Sequence, residues 1–437
     1  MTKGLLISLY GSNILQKHEA ETVHSEGISL AKTLGISDLS NIIFHIRDVN
    51  PSTLISKGHL ESIKESNIEN NYDVVIVNHD LSPIQQRNLE IELKTKVIDR
   101  SYLILEIFAM RAKTQEGVLQ VRLAQLIYAK SRLVKAWSHL ERQRGGGGFT
   151  GGPGETQKEL DRRMIVQEIS KIKKQLKKVK QTRELHHISH SKVPYKTVAL
   201  VGYTNAGKST LFNALTKANV LSEDKLFATL DSTTRALQLD NRQVVLISDT
   251  VGFISQLPHQ LIEAFQATLE YLSRADLILH VIDVSNPEYK NQIITTKEVM
   301  EELGIDNSVY DKQVIEIYNK VDKLTNTEQQ ILKGKIEKQL SRGFIISALD
   351  KKMAQEDTIA NITKFFNQEN LDIKLSIPYD FYQEIVNDLY KYSVILDKSQ
   401  VKYNDLTIEI AANLSRKRYN QLLHQYPRLS DYIVIKS

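Results

Sequence analysis

Cysteine is absent from all 437 residues. That excludes structural disulfides, thiolate metal sites and a thiol nucleophile, and it fits a reducing compartment. Long hydrophobic runs are missing too. The stretch Met1–Tyr10 is apolar but broken by Gly11. It is too short for a membrane span and has no signal-cleavage pattern, so a cytoplasmic protein with no membrane partner is expected. Neither sign of charge dominates: 57 Lys and Arg against 52 Asp and Glu give a net +5, so the placement of charge matters more than its sum. What remains is 41% hydrophobic and 25% charged residues, enough apolar surface for several cores in roughly three domains.

One segment carries the chemistry most directly. Gly202, Tyr203, Thr204, Asn205, Ala206, Gly207, Lys208 and Ser209 fit G-x-x-x-x-G-K-[ST], and Thr210 follows. An apolar run, Thr197–Val201, precedes the loop, and a helical pattern, Thr210–Leu215, follows it. That strand-loop-helix context turns the pattern into a phosphate-binding claim. Glycines let backbone N–H groups approach phosphate, and the helix N-terminus adds positive potential. Lys208 is the expected counter-charge on the transferred phosphate, and Ser209 the expected magnesium ligand.

Asp249, Thr250, Val251 and Gly252 follow the apolar run Val244–Ile247 as a D-x-x-G segment. Asp249 is expected to hold magnesium through water, and the Gly252 N–H to face the γ-phosphate. Between the two motifs lie Phe227, Ala228, Thr229, Leu230 and Asp231, then Ser232–Arg235. A threonine here is expected to reach magnesium with triphosphate bound and release it after hydrolysis. Thr229 and Thr234 both qualify.

Asn319, Lys320, Val321 and Asp322 follow a strand-like run, Val314–Tyr318. A carboxylate at Asp322 can accept from both N1–H and the 2-amino group of guanine, which adenine cannot match. Ser347, Ala348 and Leu349 fit a loop that touches guanine O6 through a backbone N–H. Four motifs in this order predict binding of GTP and GDP with Mg2+. A further absence shapes the mechanism: Phe253, not glutamine, follows Gly252, so no amide there can orient the attacking water. Asn205 is either a plain loop-stabilising residue or, as at this position in some GTPases, a ligand for K+. The second reading predicts faster hydrolysis in potassium than in sodium.

Around this core, residues 1–112 alternate apolar runs with amphipathic stretches, as in an α/β domain with a largely parallel sheet. Residues 113–192 predict an antiparallel helical hairpin. Leu119, Leu123, Leu126, Leu133, Trp137 and Leu140 step at helical spacing on one side of Gly145–Gly154, and Ile165, Ile169, Ile172, Leu176 and Val179 on the other. The loop is either a flexible tip or one shaped for a crowded space. The returning helix carries Lys171, Lys173, Lys174, Lys177, Lys178, Lys180 and Arg183, hardly matched by acids after Glu168. That is a solvated face or a phosphate-backbone contact. His186–Pro194 reads as a linker, and His186, His187 and His190 lack an evident carboxylate or cysteine partner for a metal. Residues 193–370 form the nucleotide domain. Residues 371–437 predict a small ferredoxin-like α+β unit, with a second strand at Ser393–Leu396.

The chain resembles the HflX family of translation-associated GTPases over nearly its whole length. The resemblance rests on Ser52–Leu60, Leu81–Leu89, Val97–Ala112, Gly152–Gln157 with Asp161–Arg163, Gly202–Thr210 and Phe227–Asp231. It implies an α/β protein: a P-loop GTPase domain with an N-terminal α/β domain, a hairpin and a C-terminal α+β domain. It implies GTP-state binding to the 50S ribosomal subunit, the hairpin directed at rRNA near the peptidyl-transferase region, and separation of stalled or idle ribosomes. It favours Thr229 over Thr234 as the magnesium ligand, so that Lys208, Thr229 and Gly252 are the catalytic candidates, and it makes an apolar Phe253 expected. Two departures stand out: the tip Gly145–Gly152 lacks the family's usual arginine, and Ser232 replaces a more usual proline. A specialised paralogue acting as a monomer is expected. The residues leave two alternatives open, a large-subunit assembly GTPase and a GTP switch that recruits a protein partner through the hairpin. A second nucleotide site in residues 1–110 has no P-loop to support it.

Overall fold

The computed structural model of the chain describes residues 2–11, 15–135, 157–190, 195–216, 227, 233–240, 243–250, 252–255, 261, 264–265, 272–338, 342–368, 370–391, 401–403 and 407–435. The glycine tip, Ala228–Asp231, Ser232, Val251, Trp137, Leu140 and the expected strand Ser393–Leu396 lie outside the described residues. The chain divides into two compact units, Met1–Arg235 with Leu246–Asp350, and Ala236–Val245 with Lys351–Ser437.

The N-terminal sheet joins β1 (Lys3–Tyr10), β2 (Asp38–His45), β3 (Val74–Val77) and β4 (Lys96–Asp99) in the order β2-β1-β3-β4, with all three pairings parallel. Parallel strands need crossovers, and helices α1 (Lys17–Thr33), α2 (Lys57–Asn70) and α3 (Pro83–Leu93) supply them. Local chemistry sets their ends. Ser82 and Gln85 form a capping box with Pro83 in the first turn of α3, and left-handed Asn71 and Lys94 end α2 and α3.

Helix α4 (Arg100–Arg111) starts at Asp99, whose carboxylate accepts from the Tyr102 N–H at 2.8 Å. Leu103, Ile104, Leu105, Ile107 and Phe108 are each at most 2% exposed, so the helix is apolar nearly all round and must be buried on more than one side. One continuous core runs from Leu6 and Ile98 of the sheet through α4 to Tyr203, Phe227, Phe253 and Ile254 of the nucleotide region. Burial of each large apolar side chain contributes roughly 1.5–3 kcal/mol.

The arm helices α5 (Gln115–Lys135) and α6 (Gln157–His190) pack together, with Arg122 of one meeting Glu168 of the other at 3.2 Å. Val121, Leu123 and Leu126 of the first helix and Ile172 of the second are buried in the shared core. The expected linker is corrected here. Helix α6 continues through His186, His187 and His190, because the run from Lys173 to Leu185 consists largely of good helix formers and nothing breaks it before Pro194. Among the described residues no group of three His, Asp or Glu side chains is arranged to hold a metal, and no helix is long and apolar enough to cross a membrane.

The nucleotide-region sheet has six strands. Its centre is β5 (Lys196–Gly202), flanked by β7 (Val244–Asp249) with β6 (Thr233–Gln238) on one side and β8 (Leu277–Asp283), β9 (Val314–Asn319) and β10 (Gly343–Ile345) on the other. In the second unit β11 (Asn370–Pro378), β12 (Val401–Tyr403), β13 (Thr407–Ser415) and β14 (Ile433–Ile435) form an antiparallel sheet in the order β12-β13-β11-β14. That is the order of a split βαβ unit.

Candidate nucleotide site

β5 ends at Gly202, and α7 (Lys208–Thr216) begins six residues on. The turn between them needs left-handed backbone: φ is +62° at Asn205 and +96° at Gly207. Asparagine tolerates that region and glycine is at home in it. Space enforces the second glycine as well, since a Cβ at Gly207 would lie 2.2 Å from Asn319 Nδ2.

Lys208 is buried, and its Nζ donates to the carbonyls of Gly202 at 3.0 Å and Tyr203 at 2.8 Å. Burial lowers its pKa to about 8, which Asp249 opposes and Lys320 reinforces. Ser209 Oγ donates to Asp249 Oδ2 at 2.7 Å, so the two expected magnesium handles are adjacent. Asp249 is fully buried at the end of β7, and Thr250 donates to the Leu200 carbonyl at 2.6 Å. A Cβ at Gly252 would lie 2.9 Å from both Lys208 Nζ and Thr204 Cα, so this glycine backbone sits against the phosphate loop as no other residue could.

Phe253 has a clear structural place. Its N–H donates to the Gly202 carbonyl at 3.1 Å, its carbonyl accepts from Thr204 N at 2.7 Å, and its ring is 1% exposed in the core. The D-x-x-G segment is thereby stitched to the phosphate loop by backbone pairing and anchored by an apolar side chain.

The segments expected to read the base converge on one amide. Asn319 Nδ2 donates to the Ala206 carbonyl at 2.8 Å, and Asn319 Oδ1 accepts from the Ala348 N–H at 2.9 Å. Ser347 Oγ donates to Asp322 Oδ1 at 2.5 Å, Lys320 pairs with Asp283 at 2.7 Å, and Val321 N–H meets the Ile346 carbonyl at 3.4 Å. Leu349 is exposed. Thr234 lies in β6 with its hydroxyl 2.7 Å from Ser248 Oγ. Ala228, Thr229, Leu230, Asp231 and Val251 lie outside the described residues, and Phe227 packs edge-on against Phe108 of α4 at 4.5 Å.

Sequence reasoning missed the neighbours of Tyr203. Its hydroxyl donates to Glu26 of α1 and accepts from the Ser255 N–H at 2.7 Å. Burial, then the Glu26 charge, hold this phenol far above its ordinary pKa. Arg100, 1% exposed, pairs with Glu26 and donates to the Ser255 carbonyl at 3.1 Å. The one available signal was positional: Arg100 directly follows a parallel strand, at the end of the sheet where ligands and partners sit.

A phosphate-loop motif, a D-x-x-G segment against it and an N-K-x-D segment tied to it through Asn319 make up the plan of a P-loop GTPase. Residues 21–109 match the family described as "GTP-binding GTPase N-terminal", 111–189 "GTP-binding GTPase Middle Region" and 197–320 "50S ribosome-binding GTPase". The GTPase HflX of Magnetococcus marinus is 50% identical over 74% of this chain and 72% of its own length, and that of Chlamydia pneumoniae 40% identical over 85% and 77%. A crystal structure of an SsGBP and GDP complex aligns with a TM-score of 0.46 at 24% identity, over 84% of this chain and 99% of that one. The chain belongs to the HflX family of GTPases and is a GTP hydrolase.

Proposed function

We propose that this GTPase binds the large ribosomal subunit through its helical arm and uses GTP hydrolysis to dissociate or rescue stalled or idle ribosomes. The proposal includes borders near residues 112, 192 and 370 between N-terminal domain, arm, GTPase domain and C-terminal domain. The observation that carries the nucleotide half is the convergence on Asn319, which holds the phosphate loop and the last base-side loop at one distance.

The donor set fits the groups it is asked to hold. Ser209 Oγ and the Asp249 carboxylate offer only oxygen, as Mg2+ prefers. Thr204 Oγ1 is buried in the phosphate loop and has no hydrogen-bond partner among the described residues, which suits a loop built around a polar ligand. Magnesium, when bound, neutralises charge on the phosphates. Lys208 supplies a second positive charge, Gly252 leaves room for close approach, and Asp322 selects guanine. The hydroxyl of Thr234 is already engaged with Ser248, which supports Thr229 as the threonine that completes the metal site. Asn205, with its left-handed backbone, is our candidate ligand for K+. Equal turnover in potassium and sodium would remove that assignment.

For the arm, Lys171, Lys173, Lys174, Lys177 and Lys178 are exposed on α6, a display suited to an RNA backbone. The deciding experiment measures GTP turnover and subunit separation with mature 70S ribosomes. Stimulated turnover with splitting is expected. Binding restricted to immature large subunits would favour the assembly reading, and stimulation by a protein alone would favour partner recruitment.

A further inference from the structure

Ser255, three residues beyond Gly252, has every polar group occupied. Its N–H donates to Tyr203 Oη at 2.7 Å, its Oγ donates to Glu26 Oε2 at 2.8 Å, and its carbonyl accepts from Arg100 Nη2 at 3.1 Å. Tyr203 belongs to the phosphate loop, whereas Glu26 and Arg100 belong to the N-terminal sheet region. These contacts therefore fix the spacing between the phosphate loop and the D-x-x-G segment with Ser255, the second switch, from outside the nucleotide region.

The place where Arg100 sits is informative. In open parallel sheets, ligands enter at the carboxyl ends of the strands, where the strand order reverses. Here the order reverses between β1 and β3. Ser8, near the end of β1, and Asn78, just past β3, stand at that point, and Asn78 Nδ2 donates to Ser8 Oγ at 3.1 Å. Asn78 Oδ1 accepts from Arg100 Nη1 at 2.8 Å. The sheet's ligand crevice thus receives Arg100, and through it the switch residue Ser255.

The neighbouring residue faces the other way. Asp99 is buried and caps α4. Its carboxylate accepts from Tyr128 Oη at 2.9 Å and pairs with Arg132, both on arm helix α5. Two consecutive buried charges on one rigid helix start therefore hold the arm on one side and the second switch on the other.

We propose that Asp99–Arg100 links the arm to the second switch, with Glu26 and Arg100 as positioning residues for hydrolysis and Tyr128 and Arg132 as the arm's end of the link. The link requires no ribosome, so it stands or falls apart from the ribosomal reading. Coupling must be reciprocal: if nucleotide state alters the free energy of the contact between Asp99 and Arg132, loss of that contact must alter the preference between nucleotide states by the same factor.

The test uses the full chain loaded with GDP or a non-hydrolysable GTP analogue, with folding of each variant checked by circular dichroism melting. Amide exchange across residues 115–135 is expected to differ between the two loadings, and Ser255→Ala, which removes the Oγ contact to Glu26 but keeps both backbone contacts, is expected to reduce the difference. Arg132→Gln is expected to change the ratio of analogue to GDP affinity about fivefold or more. Arg122→Gln, on the same helix but meeting Glu168, is expected to leave the ratio unchanged. Should Arg132→Gln fail to fold, Tyr128→Phe removes only the hydroxyl on Asp99 and serves in its place. Identical exchange in the two loadings of the wild type, or an unaltered affinity ratio in the arm-root variant, would overturn the link.

Discussion

The side-chain amide of Asn319 donates to the carbonyl of Ala206, 113 residues earlier in the chain, at 2.8 Å. Its other end accepts from the Ala348 N–H at 2.9 Å, and the residue is 1% exposed. Asn319→Ala leaves a buried carbonyl and a buried N–H without partners, at about 1–3 kcal/mol each. Because Ala206 belongs to the phosphate-loop motif and Ala348 to the segment we propose touches guanine, the expected loss appears in binding. Affinity for a fluorescent GDP is expected to weaken at least about tenfold. A change of less than about threefold would mean that other contacts hold the loops.

Asp322 offers a change of specificity in place of a loss. Ser347 holds Oδ1 of its carboxylate at 2.5 Å, which orients the group that we propose meets the guanine edge. Asp322→Asn replaces an acceptor with a donor. Guanine then meets donor against donor, while xanthine, with a carbonyl in place of the 2-amino group, finds a match. We expect the ratio of XTP to GTP turnover to rise by about two orders of magnitude or more. A variant that loses both nucleotides equally would count against a base contact at this carboxylate.

The parts of this site that obey local rules were legible in the sequence. Gly207 is glycine because its backbone is left-handed and crowded by Asn319, and such constraints leave a fixed spacing that can be read without coordinates. The N-terminal parallel sheet was legible because short apolar runs alternate with amphipathic helices. The grip of Glu26 and Arg100 on Ser255 was not, because it joins residues 155 and 229 positions apart and no periodicity records such a meeting. The helical character of His186–His190 was obscured by its polar, histidine-rich composition, which carries no seam of apolar residues to reveal the helix.

Phe253 invites a repair that should fail. It occupies the position where a glutamine can orient water, but its ring is 1% exposed in the shared core. Phe253→Gln would bury an amide in the core and remove the ring's apolar packing, costing about 3 kcal/mol or more. A lower melting temperature with no gain in basal GTP turnover is expected. Faster turnover at unchanged stability would show that the side chain can leave the core and face the phosphates.

The lysines on α6 predict a salt signature. Replacing Lys173, Lys174, Lys177 and Lys178 with glutamate should weaken large-subunit cosedimentation and flatten its salt dependence, since each lost phosphate contact removes about 0.7–0.9 from the log-log slope. Undiminished binding at moderate salt would count against the arm as an RNA contact.

Lys208 gives a pH dependence whose sign can be worked out in advance. Burial lowers its pKa from 10.5 to about 8, against the pull of Asp249. Between those two values the unfolded chain holds the proton and the folded chain has lost it, so this residue makes stability rise with pH across that window, by up to about 3 kcal/mol. Below pH 8 the ammonium is charged in both states, and its contribution is level. Nucleotide binding runs the other way, because phosphate next to the amine favours the charged form. At pH 9 GDP must therefore bring a proton with it. Calorimetry in buffers of different ionisation enthalpy should register that uptake, and affinity should fall as pH rises from 8 to 10. Lys208→Met should abolish the stability slope assigned to this residue and the proton uptake together, even though its residual affinity is low. Binding with no proton uptake at pH 9 would mean that the amine is already charged in the free protein, and that Asp249 outweighs burial.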